Sequence, residues 1–208
     1  MVITYLGGNC FKLTSGDTTI AVNPPAAGSK HKVSKFGSDI VIIPVEHEDW
    51  NGVETATHAS KEPFVVRGPG AYEIGDVVIT GYAAPGAVVG ENSDYGNTVY
   101  AVQFDGMKLL LLGALASESL PQEARAEVSG VDIVFVPLGA NVLDGKSAHN
   151  LTVALEANVL IPHATNGDED LKAFIKLAGA EGVKAQDKLT LKPKDLTDLS
   201  GEVVLLKK

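Results

Sequence analysis

Cysteine is nearly absent from the 208-residue chain: Cys10 stands alone, so no disulfide can close within it and its own thiols can build neither a paired-cysteine zinc clamp nor an iron–sulfur cluster. A lone thiol suits a reducing compartment, and a cytoplasmic location is expected. Positive charge is also scarce, with 17 Lys and Arg against 26 Asp and Glu, a formal net charge of -9 and a pI near 5.0. That field repels phosphate backbones and anionic lipid, so neither nucleic acid nor a membrane is an expected partner. Long apolar runs are missing too. No stretch approaches the roughly 18 residues that span a bilayer, and the opening MVITYLGGNCFKLTSG has no basic segment leading into an apolar one, so export is not expected. GxGxxG and Walker patterns do not occur, which leaves nucleotide binding without support.

What is present is a globular composition. Apolar residues make up 45% of the chain and charged residues 21%, which excludes disorder and suffices for a buried core in one domain, residues 1–208. Short β-rich segments at Val2 to Leu6, Cys10 to Thr14 and Thr18 to Val22, separated by Gly7-Gly8 and Ser15-Gly16-Asp17, predict hairpins. After a polar stretch, Asp39 to Pro44 is a continuous β-branched run of the kind that fills a strand buried on both faces. Phe64 to Val66, Val77 to Tyr82, Thr98 to Phe104 and Lys108 to Leu112 extend the strand count, with Gly68-Pro69-Gly70, Gly90 to Tyr95 and Asp105-Gly106 as turns. Then the period alternates. A helix near Pro121 to Val128, strand Val131 to Val136, helix near Ala148 to Asn158, strand Val159 to Ile161 and helix Asp168 to Leu177 precede strands near Leu189 and Val203. An early meander followed by β-α-β alternation predicts a layered α/β domain.

The segment Ile42-Ile43-Pro44-Val45-Glu46-His47-Glu48-Asp49-Trp50 draws attention because the buried strand ends in a loop with one histidine and three carboxylates. This loop, the opening ITYLGGNCFKL, AVNPP, RGPGAYEIGDVVITG, GNTVYAVQFDGMKLLLLG and the late LIPHAT, in that order, resemble the metallo-β-lactamase superfamily, in particular its small bacterial Zn-dependent hydrolase branch. The resemblance implies an αββα sandwich, two mixed sheets face to face with helices outside. It also implies a metal site built from a T-H-x-H-x-D-H loop, a middle histidine, an L-G-D aspartate and a histidine after I-P-x. There, zinc would acidify a bound water and polarise a substrate.

Against that pattern the ligand set is depleted. His47 and Asp49 match the second histidine and the aspartate of the loop, whereas Val45 and Trp50 replace its other histidines. The middle histidine falls near Pro85-Gly86, the L-G-D aspartate becomes Ala114 in Leu112-Gly113-Ala114, and the late ligand position holds Ala164. Gly8 and Asn23 stand where the family places a polar side chain and an aspartate, either of which would support the metal's ligands. Since zinc takes about three protein ligands plus water, a standard site is not expected, and no cofactor is predicted. The first reading is a non-catalytic member that binds a small ligand or a protein partner through the remodelled pocket, bordered by the loop Ala83 to Tyr95. The alternative is a hydrolase of a phosphoester, lactone or similar substrate, with zinc or another divalent metal on His47, Asp49 and His163. A third is an oligomerisation module, so a homo-oligomer stays open.

Structural roles compete for the same residues. Asp49 can cap a short helix beginning near Val53, leaving His47 to bond the backbone. His31, His58 and His149 read as surface histidines, and Ser147 with His149 lacks a nucleophile-elbow motif. Cys10 reads as core, and the Arg67 to Glu73 turn as chain reversal.

Overall fold

A computed structural model describes residues 1–58, 61–86 and 96–208. Strands β1 (Val2–Gly7), β2 (Cys10–Ser15) and β3 (Thr18–Val22) form an antiparallel meander; β4 (Ile40–Ile43) then pairs parallel to β3, and β5 (Phe64–Arg67) parallel to β4. All four residues of β4 are buried, as the β-branched run predicts for a strand with neighbours on both sides. The chain then crosses to a second sheet. Strands β6 (Gly70–Ile74), β7 (Val77–Ala84), β8 (Asn97–Phe104) and β9 (Met107–Leu111) run antiparallel in succession, while β10 (Ile133–Gly139), β11 (Val159–Asn166) and β13 (Glu202–Val203) add in parallel. The short β12 (Leu189–Thr190) returns to the first sheet beside β1, giving the orders β12-β1-β2-β3-β4-β5 and β13-β11-β10-β9-β8-β7-β6.

The main core lies between the sheets, where Phe11, Leu13, Ile20, Ile42, Tyr100, Leu109, Phe135 and Ile161 are buried together. Helices α1 (Gln122–Glu127), α2 (Gly145–Leu155) and α3 (Glu169–Leu177) cover the outside of the second sheet through Ala124, Leu151 and Phe174. The first sheet is covered differently from the expected helical layer. Among the described residues its outer face, Ala21, Val41 and Ile43, packs on Ala56, Phe36 and the short 3-10 turn Val53–Thr55. The sequence gives the reason: Pro24-Pro25 and the scattered Gly, Ser and Lys of residues 26–37 offer no apolar stripe from which to build a helix.

Several boundaries differ from expectation. The Arg67 to Glu73 segment contains β6 as well as a turn: Gly68 has φ +74, and the Tyr72 hydroxyl donates to the carbonyl of Arg67 at 2.6 Å, pinning the chain between two sheets. Helix α2 starts three residues before the expected Ala148. Asp144 caps it by accepting the N–H groups of Lys146 and Ser147 at 2.8 and 2.9 Å. Among the described residues, no helix is long and apolar enough to cross a membrane.

Candidate functional site

The carboxyl ends of β4, β9, β10 and β11 bring their following loops to one end of the sandwich, where parallel strands leave unpaired backbone and room for chemistry. From β4 come Val45 to Trp50, and from β9 the segment Leu112-Gly113-Ala114. Asn97 ties the second segment down. Its Nδ2 donates to the carbonyl of Leu112 and its Oδ1 accepts the N–H of Ala114, both at 2.9 Å. Gly113 has φ +63 in that bend, and a Cβ there would stand 2.3 Å from Asn97 Oδ1 and 2.6 Å from Pro44 Cβ. Only glycine allows this close approach.

Val45, Trp50 and Ala114, read from distant parts of the chain as replacements of metal-binding residues, lie against one another. They form one buried apolar cluster, with Val142 from the loop after β10 packed on it. Beside this plug a cavity of about 360 Å³ is lined by Pro44, Val45, Glu46, Pro69, Ala84 and Asn97. Arg67 holds Glu46 in an exposed ion pair at 2.8 Å.

His47 and Asp49 follow on the same loop and are held in local contacts. The Asp49 N–H donates to His47 Nδ1 at 3.1 Å, the two side chains are 3.9 Å apart, and the Ser29 hydroxyl donates to Asp49 Oδ1. Helix capping by Asp49 does not occur: the turn at Val53–Thr55 begins at Gly52 with no side-chain cap, because the Asp49 carboxylate faces the 24–39 loop instead. His163 is elsewhere, turned into the inter-sheet core at 5% exposure with its ring edge-on to Phe11, centroids 5.0 Å apart. Neither of its nitrogens makes a well-formed hydrogen bond; burial pushes its pKa down to about 4 against the weaker opposing pull of the Ile161 backbone, so the imidazole is neutral.

Of the remaining histidines, His58 is exposed, and His149, half-buried, meets Phe174 edge-on. His31 departs from its expected surface role. Its ring lies on Gly8, where a Cβ would meet it at 2.7 Å, and its Nε2 is buried without a partner. Burial and the neighbouring Lys30 push its pKa down, against the opposing pull of Asp49. Asn9, at 1% exposure with both amide atoms unpartnered, is a further site residue that pattern reading passes over; its one signal is an amide in the tight turn between Gly8 and Cys10. Cys10 is fully buried and its thiol pKa is pushed up by desolvation, consistent with a core residue. Pro85-Gly86, at the middle histidine's place, joins the β9 end through a bridge from Gly86 to Leu115. The rest of the Ala83 to Tyr95 loop, residues 87–95, lies outside the described residues.

Two facing mixed sheets, with strand-end loops gathered at one edge and helices on an outer face, define an α/β sandwich of the metallo-β-lactamase kind. Residues 2–164 match the family described as β-lactamase superfamily domain, and the chain belongs to that superfamily. Solved structures agree in fold. The chain is similar to a Thermotoga maritima protein described as a Zn-dependent hydrolase of the metallo-β-lactamase superfamily, with 24% identity, 99% and 97% of the two chains covered and a TM-score of 0.76. It is also similar to Igni18, a metallo hydrolase from Ignicoccus hospitalis (16% identity, 99% and 94% covered, TM-score 0.63), and to the Bacillus subtilis fold protein YhfI (13%, 99% and 96%, 0.61). No match is found among curated proteins.

Among the described residues, the donor set does not fit the superfamily's metal. Among the described residues no group of three or more His, Cys, Asp or Glu side chains converges as a metal shell. The donors that remain are divided: His47 and Asp49 are committed to local bonds in the loop after β4, and His163 lies against Phe11. The three-ligand arrangement of His47, Asp49 and His163 is therefore not assembled in this structure.

Proposed function

We propose that this chain is a non-catalytic member of the superfamily that binds a small ligand or a protein partner where its relatives perform hydrolysis. The observation that carries this reading is the plug of Val45, Trp50 and Ala114. Each replaces a donor of the family pattern, and together they fill the space with largely apolar side chains that offer no electron pair to a cation, at 2%, 4% and 0% exposure. A divalent ion placed there would lose its hydration without receiving electron pairs in return. The adjoining cavity, apolar with a few polar groups at its wall, is of the size and character of a ligand pocket. The single, buried thiol favours a cytoplasmic location.

Metal analysis tests the reading. Protein purified without chelator is expected to carry far less than one equivalent of zinc, manganese or iron, and added zinc is expected to leave its melting temperature unchanged. Near-stoichiometric metal that the His47→Ala substitution removes would overturn the proposal in favour of a mononuclear hydrolase.

A further inference from the structure

Apart from the Trp50 indole, the buried polar groups without well-formed partners among the described residues lie on or beside one short stretch of chain, Gly8 to Phe11. Asn9 lies within it, with both Nδ2 and Oδ1 unpartnered. Asn23, whose Oδ1 is also unpartnered, directly follows Val22, the residue paired with Phe11 in the β2–β3 ladder. The His163 ring stacks edge-on against Phe11, and the His31 ring covers Gly8. Asn9, Asn23 and His163 are 1%, 4% and 5% exposed, so bulk water does not satisfy them. Leaving such atoms unpaired is costly, and several together in one place mark a position that something else completes.

The chemistry of these groups narrows what completes it. None of the four side chains is an acid. The amides are neutral, and each neutral imidazole offers one donor and one acceptor. A charged guest would exchange its hydration for neutral amide and imidazole dipoles, since the charges nearest His31, those of Asp49 and Lys30, are opposite in sign; that is an unfavourable trade in a buried place. Asn9 presents a donor beside an acceptor, whose complement is a carbonyl next to an N–H. We propose that this end of the sandwich binds a small uncharged molecule through a carboxamide-type edge, paired with Asn9 and completed by Asn23, His31 and His163. Access lies on the side of His31, the half-exposed member of the set, carried on the irregular 24–39 segment. The inference rests on the metal-free reading, since a metal on His163 would consume one of the nitrogens it needs.

Nuclear magnetic resonance of protein with 15N-labelled histidine, titrated separately with acetamide, acetate, methylammonium and zinc chloride, tests it. Acetamide is expected to shift the His163 ring nitrogens saturably, acetate and methylammonium of similar size are not, and Asn9→Leu is expected to weaken acetamide binding about tenfold. Asn23→Leu serves as a second variant should Asn9→Leu melt without cooperativity. If acetamide produces no saturable shift, or shifts the wild type and both variants alike, the ligand inference fails; water alone between Asn9 and His163 in a high-resolution crystal would say the same. If zinc, rather than acetamide, moves the His163 resonances in saturable fashion, the metal-free reading itself fails.

Discussion

Acidification from pH 7 to 4.5 should act on this protein through His163 more than through any other histidine. Its folded pKa of about 4 lies below the 6.5 of an unperturbed imidazole, because burial against Phe11 disfavours the cation. The unfolded chain thus binds a proton that the folded chain refuses. The neutral ring costs nothing above pH 6.5, and stability falls as pH drops from there towards 4. Each pKa unit corresponds to about 1.4 kcal/mol, so the step from pH 7 to 4.5 should remove roughly 2 kcal/mol. At a typical urea dependence of about 2 kcal/mol per molar, the unfolding midpoint moves down by about 1 M. His163→Leu removes the titrating group while keeping an apolar side chain in the core. Urea unfolding of both proteins at both pH values isolates its share, since the carboxylates contribute to each alike. The wild type should lose roughly 2 kcal/mol more than the variant on acidification; equal losses would refute the claim that the imidazole is buried and neutral.

Three further outcomes are expected. Asp144→Ala removes the acceptor for the first turn of α2, where bonds from the Ser147 backbone and hydroxyl and from the Lys146 backbone hold the carboxylate pKa low; thermal unfolding should show a loss of about 1 kcal/mol at neutral pH that shrinks as pH falls below about 4. Gly113→Ala forces a side chain into a left-handed bend against Asn97 and Pro44, and denaturant titration should show destabilisation of about 2 kcal/mol or more. The Cys10 thiol, buried and held protonated, should resist a disulfide reagent in the native protein and react at once in denaturant.

The layered architecture was legible because its signals are local and repeated. The β-branched run at β4, the alternation of the first hairpins and the helical periods after Pro121 each determine one element independently of its neighbours. β6 was hidden because Gly68-Pro69-Gly70 reads as a stop, whereas its exposed, weakly patterned residues are ordered by pairing with β7 across the sheet. The replaced ligand positions could be read by aligning motifs, and their mutual packing follows from that alignment. The orphaned Asn9 and His31 could not be found so. A single amide in a turn or a single histidine in a polar loop has no spacing to betray it, and both acquire meaning only when Phe11, Gly8 and β11 meet in three dimensions.

The hydrocarbon plug also acts as a lock on change. Installing an aspartate at Ala114 by itself would strand a charge among Val45 and Trp50, and a lone histidine at either of those positions would bury an imidazole without a companion. If the chain is non-catalytic, as proposed, each single step towards a metal centre weakens the protein before any ion can reward it, so a route to hydrolysis would have to change several residues at once.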